Sequence, residues 1–197
     1  MAKIKHTKTE LKAQREALRR FERFLPMLIL KKQQLQMEIQ NITARILQAR
    51  QAEQAAADGM QAWVRLLAEP VNLESLVRVQ SFDMAEGNIA GVAIPLLKAV
   101  HIEPVTINMF TTPPWIDDAV ETLTRRIELR AQREVLEEQR RRVEEELRTT
   151  SQRVNLFEKV KIPECRENIR VIRIFLGDEQ TASVARGKIA KQRAVAA

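Results

Sequence analysis

From Leu35 onward, apolar residues return at alternating steps of four and three: Leu35, Ile39, Ile42, Ile46, Ala49, Glu53, Ala56, Met60, Trp63 and Leu67, with Glu53 the one polar member. Such a heptad seam is buried by a long helix packed along its length against another helix. Upstream, Leu11, Leu18 and Leu25 continue it at steps of seven. The stretch opens at Thr7-Lys8-Thr9-Glu10, a capping box in which the Thr7 and Glu10 side chains each satisfy an orphan backbone donor. A second stripe begins near Thr112-Pro113, an N-cap and first helical position. Val120, Leu123 and Ile127 start it; Leu129, Leu136 and Val143 follow at seven, then Leu147, Thr150, Val154 and Phe157. The change of phase between Ile127 and Leu129 leaves the supercoil hand open.

Between the stripes lie Pro70, Gly87, Gly91, Pro95 and Pro104. The runs Leu76–Phe82, Ile89–Ile94 and Val100–Ile107 are β-branched and partly alternating, which reads as short strands or a hairpin. The expected fold is mainly α: two long helices in an antiparallel coiled coil, with a small β-containing insertion between them. Neither helix can bury a one-sided stripe alone, and folding back solves that for both. The chain divides into an N-terminal helix (1–68), an acidic insertion (69–112), a C-terminal helix (113–176) and a projecting basic tip (177–197). Pairing the helices places Thr7 opposite residues near 175 and Pro26 opposite residues near 156. Pro26 and Pro163 thus remove helix hydrogen bonds at a similar level and are expected to mark bends or interruptions.

Charge follows the same division. Residues 1–32 hold ten Lys/Arg against three Glu, whereas 69–118 hold two basic against seven acidic groups, so the two ends of the folded pair differ in sign. The net charge of +7 would fit nucleic acid, but the basic residues lack interleaved aromatics and spell no recognised DNA or RNA module. Residues 119–148 balance at eight and eight, unlike the even positive coat of a compaction protein. The longest apolar run, Phe24 to Leu30, is far below the roughly 18–20 residues of a membrane span, so no direct membrane insertion is expected. Lys5 is followed by no apolar signal segment, and Cys165 is the sole cysteine, so the cytoplasm is the expected compartment.

No catalytic constellation is visible, and no cofactor or metal is expected. His6 and His101 are the only histidines, and neither follows a Glu at the spacing of di-iron bundles. Gly187-Lys188 has no glycine at phosphate-loop spacing. Cys165 lacks a nearby His and reads as a packed thiol. Glu137/Arg141, Glu138/Arg142 and Glu144/Arg148 are four apart and read as a solvated helix face.

The segment Thr150-Ser-Gln-Arg-Val-Asn-Leu-Phe-Glu-Lys-Val-Lys-Ile-Pro-Glu, running on to Ile169-Arg-Val-Ile-Arg-Ile-Phe-Leu-Gly-Asp, resembles the D subunits of V-type (A/V-type) ATPases. So do Thr7-Lys-Thr-Glu-Leu and Leu25-Pro-Met-Leu-Ile-Leu-Lys-Lys-Gln-Gln-Leu. Asn88-Ile-Ala-Gly-Val-Ala-Ile-Pro and Thr112-Pro-Pro-Trp-Ile-Asp resemble a bacterial branch of that family. The resemblance spans nearly the whole chain in order, and Arg153-Val-Asn-Leu-Phe-Glu is its most specific block. The tail stops soon after Lys191, shorter than in some of the family.

The resemblance implies a non-catalytic rotor shaft, the central stalk of a complex that couples ATP hydrolysis or synthesis to proton or sodium transport. Its implied partners are the A and B subunits of the catalytic ring, the F subunit on its side, and the subunit capping the membrane rotor ring. No nucleic acid is among them. It implies a cytoplasmic, peripheral place in a membrane-bound complex, with ring contacts from Lys3, Lys5, Lys8, Arg186, Lys188, Lys191 and Arg193. The alternatives are a structural scaffold coiled coil, expected to keep unbroken heptads without a β insertion, and a basic nucleic-acid-binding protein.

Overall fold

The computed structural model describes residues 4–61, 65, 77–103 and 113–195. Lys3, Trp63, Leu67, Pro70, Pro104, Thr112 and the other expected helical residues at 62–64 and 66–68 lie outside them, as do the ends of two strand-like runs, at Leu76 and 104–107. Helix α1 spans Lys8–Met60. A hairpin follows, β1 Val79–Ile89 and β2 Val92–Ile102. Helix α2 spans Ile116–Leu156, a π-helical turn spans Phe157–Lys161, and helix α3 spans Ile162–Val195. The chain clusters into two units, residues 33–148 and residues 1–32 with 149–197.

The central unit has a three-part core. Leu35, Ile42, Ile46 and Ala49 of α1 meet Leu136 and Val143 of α2, and Ile94 of β2 completes the cluster. Val143 and Leu35 are wholly buried, as residues on two facing heptad stripes should be. Glu53, the polar member of the seam, accepts from Arg133 Nε at 2.9 Å. Further along, Arg126 donates to the Met60 sulfur at 3.6 Å. As one helix ascends the other descends, so the pair is antiparallel here.

The hairpin is the small β structure expected between the helices. Three strand-like runs become two strands, because the middle run, Ile89–Ile94, contains the turn. Ala90 and Gly91 both take positive φ, 50° and 84°, the primed turn that matches strand twist. The Asn88 carboxamide oxygen accepts from the Gly91 N–H at 2.9 Å. The hairpin is also held to the helices. Its turn folds against the helices, with Ile89, Ala90 and Val92 packed on the core around Ile94. Gly87 faces Ile94 across the ladder, and a Cβ there would lie 2.8 Å from Leu96 Cδ1, so glycine makes room for that pairing.

In the other unit, the start of α1 lies against the π turn and α3. Phe21 and Phe157 meet at a ring-centroid distance of 4.9 Å, Glu22 pairs with Arg166 at 2.8 Å, and His6 meets Phe175 at 4.8 Å. These pairs are again antiparallel. Thr150, Val154, Ile162, Cys165, Ile169 and Ile172 form the buried stripe. Burial pushes the Cys165 thiol pKa up, as suits an inert packed group.

The capping box at Thr7 is half made. Thr7 Oγ1 accepts from the Glu10 N–H at 3.2 Å, but the Glu10 carboxylate turns forward to accept from Gln14 at 2.9 Å. The Thr7 N–H donates instead to the Lys5 carbonyl at 3.0 Å.

Candidate functional site

Of the seven basic residues singled out in the sequence, the described ones sit on exposed stretches at or near helix ends. Lys5 and Lys8 flank the N-cap of α1, both exposed, and Lys3 lies outside the described residues. The His6–Phe175 contact fixes their level against α3. Ile172 is the last buried residue of α3, and every residue from Gly177 to Val195 is exposed. The helix nevertheless continues through Gly177 and Gly187, each of which costs about 1 kcal/mol relative to alanine in a helix interior.

Helical spacing separates the four C-terminal charges. Arg186 and Arg193 are seven apart and share one side, whereas Lys188 and Lys191 are three apart on the other. Positive charge therefore surrounds α3 instead of forming a single patch. Arg186 Nε donates to the Ala182 carbonyl at 3.2 Å, laying the side chain along its own helix. Val184 and Ile189 stand exposed among these cations. Such a surface offers many weak charge contacts, each about 0–1 kcal/mol when exposed, and no bound geometry for a reacting group.

The two prolines behave differently. Pro26 lies inside α1, which stays helical through it, although its nitrogen donates no bond. Pro163 follows the π turn, in which the Ile162 N–H bonds the Phe157 carbonyl. A proline ring collides with the carbonyl four residues earlier, here Lys159, and widening that turn relieves the crowding. The interruption expected near Pro163 thus takes the form of a wider turn, with helix on both sides.

The central unit also holds an ion-pair brace that residue spacing does not reveal. Arg133 bridges Glu53 of α1 at 2.9 Å and Glu137 at 3.1 Å, and Arg50 reaches Glu137 at 2.8 Å. Hydrogen bonding from Arg50 and then Arg133 lowers the Glu137 pKa against the opposing effect of burial. Burial pulls Arg133 down, but its bonds to Glu137 and Glu53 outweigh that and leave its pKa raised. Glu137 therefore pairs with Arg50 and Arg133, not Arg141. Arg141 and Arg142 both hold Glu138, at 2.7 Å each, and Arg140 approaches Glu144 at 3.5 Å. Of the three expected pairs, Glu138/Arg142 forms as its spacing suggests. The signal available in sequence is Glu53 itself, a carboxylate at a seam position that demands a partner.

Among the described residues, no group of three His, Cys, Asp or Glu is placed to hold a metal ion, and no helix is long and apolar enough to cross a membrane.

The sequence pattern of the ATP synthase D-subunit family matches residues 10–192. The V-type ATP synthase D subunit of Borreliella burgdorferi is 43% identical over 191 residues, covering 97% of this chain and 95% of that protein. The V-type ATP synthase D subunit of Chlamydia muridarum is 35% identical over 195 residues, covering 98% and 96%. With the paired heptad helices, the inserted hairpin and a family match from Glu10 to Gln192, the chain belongs to the ATP synthase D-subunit family.

Proposed function

We propose that this chain is the central-stalk rotor shaft of a V-type ATPase, carrying torque between a catalytic A/B ring and an ion-translocating membrane sector. The observation that carries the reading is the full-length family match on a chain built from antiparallel helices. A shaft needs stiffness, and in the central unit the Arg50–Glu137–Arg133–Glu53 brace ties α1 to α2 across the seam. It needs no reacting group of its own, and the chain acts as a non-catalytic subunit of the complex. The basic end, Lys3, Lys5 and Lys8 with Arg186, Lys188, Lys191 and Arg193, enters the ring, residues 177–197 forming its tip. Charges distributed round α3 meet acidic loops there and release them at each step, because each contact is weak. The F subunit binds the side, and the opposite end seats on the subunit that caps the membrane rotor ring. The protein works at the cytoplasmic face, as a peripheral member of the membrane-bound complex.

The test is single-molecule rotation. A bead attached to this chain in the reconstituted ATPase turns on addition of ATP; a stationary bead on a complex that hydrolyses ATP overturns the reading. Truncation after Leu176 lowers torque or complex stability while leaving the remaining helices folded. Equal torque and equal stability with and without 177–197 overturn the role given to the tip.

A further inference from the structure

Two breaks in the backbone ladder adjoin in the unit formed by residues 1–32 and 149–197. On α1, Pro26 has no N–H to give the Glu22 carbonyl four residues back, although the helix runs on through it. Opposite, the π turn Phe157–Lys161 replaces the four-residue step with one of five, the Ile162 N–H reaching the Phe157 carbonyl. The missing α1 bond spans Glu22 to Pro26. Phe21, the residue before it, meets Phe157, the first residue of the π turn, at 4.9 Å. The two breaks therefore start at one level of the helix pair.

Their coincidence matters mechanically. Bending a pair of helices in their common plane lengthens one and shortens the other, and each hydrogen-bond ladder resists. A break in one helix leaves the intact partner as a stay. Breaks in both at adjoining levels remove the stay, and prolines and π turns are where helices kink sharply.

Packing at this level is light. No described residue of α1 before Leu35 is buried, and none from Asn155 to Lys161. The Phe21–Phe157 contact is apolar and non-directional, and the Glu22–Arg166 pair is carried by side chains 44% and 65% exposed. Such ties keep the helices together without fixing their tilt. In the central unit, by contrast, Arg50 and Arg133 span the seam to Glu137 and Glu53. Few buried contacts beside an interrupted ladder are what let a segment move.

We propose that Pro26 and the π turn together form a flexure, at which residues 8–21 with 162–176 tilt as one body against residues 27–32 with 149–156. It lets the end that carries Lys5 and Lys8 change direction without unwinding either helix. The flexure is a property of the chain itself and stands or falls separately from the stalk reading.

Spin labels on genetically encoded residues, which leave Cys165 untouched, are placed in the full chain at Gln152 and Arg173, on either side of the π turn. A second sample carries them at Gln34 and Ala55, within α1. All four positions are exposed, and each pair is 21 residues apart, roughly 30 Å along a helix. Double electron–electron resonance reads the spread of each distance. The spread between Gln152 and Arg173 is expected to be about twice that between Gln34 and Ala55. Pro26→Ala restores the α1 ladder at an exposed position, where alanine is the better helix former. It is expected to narrow the spread between Gln152 and Arg173, although neither label is on α1. Equal spreads in the unmodified chain overturn the proposal. So does a spread that Pro26→Ala leaves unchanged, since the π turn alone would then account for it. ATP-driven rotation of the assembled complex decides the stalk reading and leaves these spreads as they are.

Discussion

The side-chain amide of Gln139 donates to the Pro95 carbonyl at 2.6 Å, joining α2 to the second strand of the hairpin. Gln139 is 2% exposed, so this bond is made in the core of the central unit. A backbone carbonyl in the middle of a strand, near the bulge at Lys98, would otherwise face a helix without a donor. Arg142 adds a longer contact, 3.4 Å to the Ala93 carbonyl. Gln139→Ala removes the donor and leaves a void, and a buried acceptor left unpaired costs about 1–3 kcal/mol. Urea unfolding of the variant is expected to show a loss of that size, with faster amide exchange confined at first to Val79–Ile102. Unchanged exchange in the hairpin would mean that its apolar contacts hold it without this bond.

Ile94 carries the apolar part of the same junction, 4% exposed among residues from both helices. Ile94→Ala is expected to destabilise by about 2–5 kcal/mol, the range for a buried aliphatic truncated to alanine. Deleting residues 82–95 removes Ile94, Ile89, Ala90 and Val92 from the cluster that Leu35, Ile42 and Val143 belong to. The deletion is expected to lower the unfolding midpoint of the helices, measured by far-ultraviolet circular dichroism. An unaltered midpoint would make the insertion an independent appendage.

Ala90 is the one non-glycine residue with positive φ among the described residues. That conformation costs an L-residue roughly 1–2 kcal/mol, against a smaller entropic penalty for glycine in the unfolded chain. Ala90→Gly is therefore expected to stabilise by a net of about 0.5–1 kcal/mol, read from the shift in urea midpoint.

The brace predicts a pH dependence with a definite sign. Glu137 has its pKa lowered in the folded chain, so its contribution to stability is complete above the ordinary carboxylate value of 4.5 and is lost as pH falls below it. Glu137→Gln should flatten the acid limb of the stability curve. Glu138, half-buried and held by Arg141 and then Arg142, has its pKa pushed down to about 2. Carbon-detected NMR should follow its titration, and R141Q/R142Q should move its midpoint back toward 4.5.

Periodicity makes the helices and their antiparallel pairing legible, because a stripe of one-sided apolar residues has few other places to go. Leu35, Ile42, Ile46, Leu136 and Val143 lie on the predicted seams and are all buried. The hairpin docking is not legible, because nothing in Val92–Ile102 says which face it will lie on; that depends on a carbonyl meeting Gln139 from 44 residues away. The pairing of charges is equally hidden. Arg141 has Glu137 and Glu138 within reach at four and three residues, and the choice follows from Arg50 and Arg133 occupying Glu137. The basic tip can be read as a run of residues, but its division into two opposed pairs emerges only once Gly177–Val195 is known to be helical.

Val154 and Ile162 are both buried and eight residues apart, although a regular helix brings the same face round after seven. The π turn at Phe157–Lys161 lies between them and holds the surplus residue. In effect it is a spacer that keeps two lengths of helix in frame with a single partner. Elsewhere in α2, or in α3 before its last buried residue Ile172, removing one residue would swing everything beyond it by about 100° and turn buried side chains outward. Within Phe157–Lys161 the same deletion should only tighten the turn into ordinary helix, so along the buried stripe from Thr150 to Ile172 this is where the residue count can change without rewriting the interface.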